Sequence, residues 1–177
     1  ALYCVRSLAR SVERNIKSSP GAARAMALVP QLPAHNKVQY QGLLIVGRYA
    51  DWLNAPDHQA GLGDVLQFIT TALQEKSTVA AAAVALNNVC EVCAPHLTSQ
   101  LPSLLELYLH VAGTGNLLLL DAQELVEAIA NVINAVENPS DRREAMQKLC
   151  MPLAAAVEDP AASLTTIGYA FNLICSA

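Results

Sequence analysis

Apolar residues recur along this chain at spacings of three and four, and the pattern is interrupted by proline, glycine, serine and asparagine. Leu2, Val5, Leu8, Ala9, Val12 and Ile16 fall on one side of a helix, because 3.6 residues per turn bring such positions into line. Ser18, Ser19, Pro20 and Gly21 end this stretch, and a shorter one over 22–29 stops at Pro30 and Pro33. Proline lacks a backbone donor and disfavours helix in the residue before it. The two stretches predict a helical hairpin.

The pattern restarts after Asn36, a candidate N-cap, with Leu43, Val46, Gly47, Ala50 and Leu53, and stops at Asn54, Ala55 and Pro56. Its partner carries Leu62, Val65, Leu66, Ile69 and Leu73. A third pair follows the cap candidates Ser77 and Thr78. It has Val79, Ala82, Ala83, Leu86, Val89, Cys90 and Cys93 on the first helix, and Leu101, Leu104, Leu105, Tyr108 and Ala112 on the second. Pro95 and Pro102 punctuate the turn between them, Pro102 in a helix's first turn. Asp121 opens a fourth pair, with Glu124 three residues on as an Asp-led capping box, then Leu125, Ala128, Ile129, Val132 and Val136. Its mate presents Met146, Leu149, Cys150, Leu153 and Val157, with Pro152 expected to kink it. A ninth helix is expected from Pro160 through Leu164, Ile167, Phe171 and Ile174.

First helices thus begin near residues 1, 37, 78, 121 and 160. This interval of about 40 matches HEAT and armadillo units, and two helices per unit argue for HEAT over armadillo and over the shorter ankyrin and TPR repeats. The expected fold is an all-α solenoid of about four and a half HEAT-type hairpins, with repeats over 1–35, 36–76, 77–115, 116–158 and, in part, 159–177. Both ends sit inside helical patterns, so the chain reads as a single segment of something longer.

Composition gives this picture a reason. The chain has 30 alanines and 26 leucines among 177 residues and is only 5% aromatic. In a solenoid each helix meets its hairpin partner and both neighbouring repeats, and small residues allow close approach on several sides. The tightest packing is expected at Ala80–Ala83 and at 154–156.

Charge excludes some functions. With 11 basic and 15 acidic residues and a net charge of −4, the chain lacks the basic footprint of a nucleic-acid binder. Its longest apolar run, Val79 to Leu86, falls far short of the roughly 20 residues that a membrane span needs. Five cysteines in a chain with no secretory signal fit a reducing compartment.

Little catalytic chemistry emerges. Cys90 and Cys93 are the only motif with such associations, but a redox dithiol needs a βαβ setting, and a zinc site needs four ligands, of which His96 supplies at most a third. They read as core cysteines, with an enzyme using this pair as the third-ranked reading. Gly113 to Asn116 lacks the strand and the Lys-Ser/Thr of a phosphate loop and reads as an inter-helix turn. His35, His58, His96 and His110 are spread among loops and second helices. Tyr49 and Trp52 read as core, with an exposed edge forming a hydrophobic docking pocket as the alternative. No cofactor, metal or small-molecule substrate is implied. Asp64, Glu75 and Glu106 fall off the apolar faces of second helices, which in a solenoid line the concave surface. They are either simply solvated or binding residues for a basic partner drawn by acidic charge.

Two stretches carry a family resemblance: Gly47-Arg-Tyr49-Ala-Asp-Trp52-Leu53, and the alanine-rich helix from Ala80 that ends in Val89-Cys90-Glu-Val-Cys93. Together with the opening Ala1-Leu-Tyr3-Cys-Val-Arg6-Ser-Leu-Ala9-Arg-Ser-Val12, they resemble the middle of an importin-β (karyopherin-β) superfamily receptor of the transportin-SR/importin-13 branch. The resemblance implies a non-enzymatic nuclear import receptor, shuttling between cytoplasm and nucleus. Such a receptor binds protein cargo, SR-rich splicing factors among them, contacts phenylalanine-glycine (FG) nucleoporins at the pore, and releases cargo to Ran-GTP. The arginine-rich helix through which transportin-SR reads its cargo has no counterpart here; the only adjacent basic pair is Arg142-Arg143. The competing reading is a HEAT scaffold subunit of another complex, such as a phosphatase or kinase assembly.

Overall fold

A computed structural model describes residues 2–13, 20–113, 117–158, 168, 170 and 172–175. Among these residues all regular structure is helical, as the three-and-four spacing requires. The chain divides into two compact units, Ala1–Cys93 and Ala94–Ala177.

The first unit opens with α1 (Leu2–Glu13) and α2 (Pro20–Leu28). Pro20 starts the second helix because the first amide of a helix has no intrahelical acceptor to lose. A 3-10 turn over Val29–Gln31 follows and absorbs Pro30. Next come α3 (Asn36–Arg48), the single turn α4 (Ala50–Leu53), and α5 (Leu62–Ala72). α6 (Val79–Leu97) belongs to this unit as far as Cys93. α1 packs on α2 and α3, and α3 packs on α5.

The core of the first unit takes Leu43, Ile45 and Val46 from α3, Val65 and Ile69 from α5, and Ala82, Ala83, Leu86 and Val89 from α6. Each large aliphatic side chain buried this way contributes about 1.5–3 kcal/mol. The alanines contribute by being small. A Cβ added at Gly47 would stand 3.4 Å from the Ala85 Cα and 3.3 Å from the Asn88 amide nitrogen, so α3 and α6 approach closely there.

The second unit holds α7 (Leu101–Gly113), α8 (Leu119–Asn134) and α9 (Pro139–Glu158). α8 packs against both of the others. Its Val126, Ile129, Val132 and Ile133 are buried, as are Leu104, Leu105 and Tyr108 of α7 and Leu149 of α9.

Among the described residues the helices are those the sequence predicts, but several boundaries and faces differ. Asn36 is the first residue of α3, not its cap; His35 takes the cap position with extended backbone and no side-chain bond. The Thr78 hydroxyl turns back to donate to the carbonyls of Ala72 (2.7 Å) and Glu75 (3.3 Å), closing the end of α5. Pro95 lies inside α6, which runs on to Leu97. α8 begins two residues before Asp121, with Leu118 at the cap and no capping side chain. On α7 the inward position is Val111, and Ala112 is exposed. Leu8, Ala80 and Ala155 are likewise exposed, so the alanine runs bury only part of their length. α9 continues on both sides of Pro152. The start of the ninth expected helix and the turn at 114–116 lie outside the described residues. Of its later part, Leu173 is buried and the Asn172 side-chain amide donates to the Gly168 carbonyl at 2.9 Å.

Candidate protein-interaction site

The acidic candidates separate by unit. Asp64 is exposed in the first turn of α5. Glu75 is exposed beyond the end of α5, in the turn before α6, rather than on a second helix. Glu106 is exposed on α7. Glu106 lines a large groove.

That groove, about 780 Å³, lies between α7 and α9 of the second unit. Its apolar lining comes from Leu101, Leu105 and Leu109 of α7 and from Met151 and Pro152 of α9. Leu109 and Met151 are 45% and 62% exposed, although both are large and apolar. Carboxylates also line it: Glu106 on one helix, Asp141 and Glu144 on the other. Lys148 also lines it, but its ammonium sits 2.7 Å from Glu144 Oε1 one helical turn away. That bond holds the Glu144 carboxyl below the usual carboxylate range. Three carboxylates against one ammonium leave the lining net negative. The adjacent Arg142 and Arg143 are exposed but do not line the groove.

The first unit has a smaller and more polar depression of about 560 Å³ between α3 and α6, lined by Arg48, Asp51, Asn88 and Glu91 around Gly47 and Ala85. It lies where small residues bring the two helices together.

The cysteine pair keeps its protons at neutral pH. Cys90 and Cys93 are both fully buried free thiols. Burial, with the neighbouring Cys93, pushes Cys90 up to about 12. Burial and the Asp51 charge push Cys93 up to about 11. Nucleophilic or metal-binding cysteine needs the thiolate, and these environments oppose it. Cys93 Sγ is 3.9 Å from the Ala50 carbonyl, a weak contact between α6 and α4. Among the described residues no group of three or more His, Cys, Asp or Glu side chains is arranged to hold a metal ion, and no helix is long and apolar enough to cross a membrane.

Tyr49 and Trp52 are core residues. The Tyr49 hydroxyl donates to the Val5 carbonyl at 2.9 Å, tying the end of α3 to α1. Trp52 stacks on His58, with ring centroids 3.7 Å apart and planes 17° apart. His58 Nδ1 lies 3.1 Å from the Trp52 carbonyl; a carbonyl only accepts, so that nitrogen carries a proton. Sequence spacing links neither contact, because each partner sits in a different element or turn. The groove was equally hidden, since α7 and α9 lie some forty residues apart in the chain. Its one available signal was Leu109 and Met151, large apolar residues outside the buried faces.

Residues 22–107, just under half the chain, match the sequence model of a family described as the Transportin-3/Importin-13 third TPR domain. Over that segment the chain is similar to the transportin branch of the importin-β family. The transportin-type segment covers α2 to α6 and the first half of α7. The name of that family refers to TPR units, and the first helices of the successive pairs start at residues 2, 36, 79 and 119. The first of these intervals, 34, is TPR-like, whereas 43 and 40 are in the HEAT range. An uncharacterized protein of Schizosaccharomyces pombe is 32% identical over 111 residues, covering 62% of this chain. The chain spans 11% of that relative's length.

Proposed function

We propose that this chain is a central helical-repeat segment of a nuclear import receptor that carries protein cargo through the pore under Ran-GTP control. The observation that carries the reading is the transportin-3/importin-13 family match over residues 22–107. In this reading the chain forms one continuous run of repeats, over 1–35, 36–76, 77–115, 116–158 and 159–177. It shuttles between cytoplasm and nucleus within its parent, which meets FG nucleoporins and takes SR-rich splicing factors as one cargo class. The segment performs no catalysis and binds neither nucleic acid, membrane nor a small molecule.

The physics of stacked repeats suits the task. Stability is close to a sum of repeat and neighbour terms, so small adjustments between hairpins alter the spacing of surfaces far apart in sequence. Exclusion of cargo by Ran-GTP needs a coupling of roughly 1–3 kcal/mol between sites, or direct overlap. Asp64, Glu75 and Glu106 are assigned as exposed carboxylates that favour basic partners.

The test is made on the full-length parent. It should retain immobilised Ran loaded with GTP but not with GDP, and release bound SR-rich cargo when Ran-GTP is added. A parent that ignores Ran-GTP at micromolar concentration sinks the receptor reading in favour of a HEAT scaffold subunit.

A further inference from the structure

We infer that the groove between α7 and α9 is a docking site for an amphipathic helix of a partner protein, one with large apolar anchors on one face and Lys or Arg along its flanks. The inference rests on the receptor reading for the supply of a protein partner and names the kind of segment the partner presents.

Shape supports the first half of the assignment. At about 780 Å³, the groove falls in the size range of sites that bury most of a ligand's surface. It is walled by two helices, the arrangement into which a third helix lays its apolar face, with anchors at i, i+3 or i+4, and i+7. Leu105 and Leu101 form buried wall, while Leu109 and Met151 project into reach. Exposed leucine and methionine lining one groove mark an interaction site, and methionine adapts to anchors of differing shape.

Charge selects the occupant. Glu106 and Asp141 both line the groove, from different helices, and Glu144 has its own cation in Lys148. Nucleic acid and anionic membrane surfaces both bring negative charge, which this lining repels. A second copy of this chain carries a net charge of −4, which makes self-association unfavourable at the same rim. A cationic, apolar-faced protein segment satisfies both halves: its anchors leave water, and its flanking cations meet Glu106 and Asp141.

The test uses the full-length parent and a fluorescein-labelled peptide of about 18 residues, roughly five helical turns, with leucines on one face and lysines elsewhere. One control places glutamate at every lysine; another scrambles the leucine spacing. A photoreactive leucine at the central anchor reports the location. Binding is expected for the lysine peptide alone, with crosslinks on α7 and α9. Leu109→Glu with Met151→Glu alters two exposed positions and should weaken binding about tenfold or more. Glu106→Gln with Asp141→Asn keeps the shape, should also weaken binding, and should flatten its salt dependence. If the apolar pair of changes disturbs the circular dichroism of the parent, the neutralised pair still decides the matter.

Equal binding of the glutamate or scrambled peptide, unchanged affinity in the neutralised variant, or crosslinks elsewhere would overturn the assignment. Concentration-dependent dimerisation abolished by the Leu109 and Met151 changes, without peptide binding, would overturn it in favour of a second copy. Ran-GTP retention is measured on the same samples. Its persistence without peptide binding removes the groove assignment alone, whereas its absence in the unaltered parent removes the receptor reading.

Discussion

A thiol buried at a helix contact ionises only by bringing charge where water does not reach, and Cys90 and Cys93 turn that cost into a pH dependence. Unfolded, both ionise from the ordinary value of 9.0; folded, Cys90 holds its proton to about 12 and Cys93 to about 11. Above pH 9 the unfolded state therefore binds fewer protons than the folded one, and stability falls as pH rises. Their contribution is fully present below pH 9 and is lost progressively through the folded values. The melting temperature should drop as the pH rises from about 9 to about 12, more steeply than in a Cys90→Ala, Cys93→Ala double variant. Parallel curves for the two proteins would show that the pair contributes nothing to this dependence. The residue scale also gives a steric prediction. Gly47→Val adds atoms against the Ala85 backbone and the Asn88 side chain and should destabilise by about 1–3 kcal/mol. Gly63→Ala, with nothing within 4 Å of its new Cβ, should be neutral or stabilising by up to about 1 kcal/mol. Urea denaturation of the two variants makes the comparison, and a Gly47→Val as benign as Gly63→Ala would refute the close approach of α3 and α6.

At the scale of the element, a side-chain hydrogen bond ties α1 to the end of α3. Of the α1 residues with described side chains, Ala9 is buried, while Tyr3 and Leu8 are exposed. The Tyr49 hydroxyl on the Val5 carbonyl therefore supplies much of what fixes α1 against α3. Tyr49→Phe should cost about 1 kcal/mol and raise amide exchange in α1 ahead of α5. Equal acceleration in both helices would refute that local role. The same elements show what could be read without coordinates. The hairpins were legible because Leu62, Val65, Leu66, Ile69 and Leu73, or Leu125, Ala128, Ile129 and Val132, obey one period and are all buried. Helix ends were less so. Thr78 and Asp121 resemble caps in sequence, but a hydroxyl or carboxylate bonds whichever backbone group the tertiary fold brings near, and Thr78 found the preceding helix. Pro95 reads as a stop, yet only its own donor and the carbonyl one turn back are affected, and α6 runs two residues beyond it. Of the candidate site, Glu106 was legible as an exposed carboxylate. Its association with Asp141, Leu109 and Met151 was not, because periodicity describes one helix at a time and the groove requires two.

At the scale of the whole molecule, the decisive property is that within each unit the described helices pack on near neighbours in sequence: α1 with α2 and α3, α3 with α5, and α8 with α7 and α9. A globular domain of this length would spread the loss of one core side chain over the whole chain, because its elements share a single core. In a chain of stacked hairpins the loss stays with the repeat and its neighbours. Ile133, fully buried in α8, gives a clean probe. Ile133→Ala should cost about 2–5 kcal/mol, and hydrogen exchange should accelerate in α7, α8 and α9 while α1, α2 and α3 keep their protection. Leu43→Ala, at a fully buried position of α3, should produce the reverse pattern. Uniform acceleration across all helices in both variants would mean that one cooperative core governs the chain. The receptor proposed above, which must rearrange around successive partners, needs the local behaviour, because only repeats that yield independently let one hairpin adjust while the surface presented by the next stays intact.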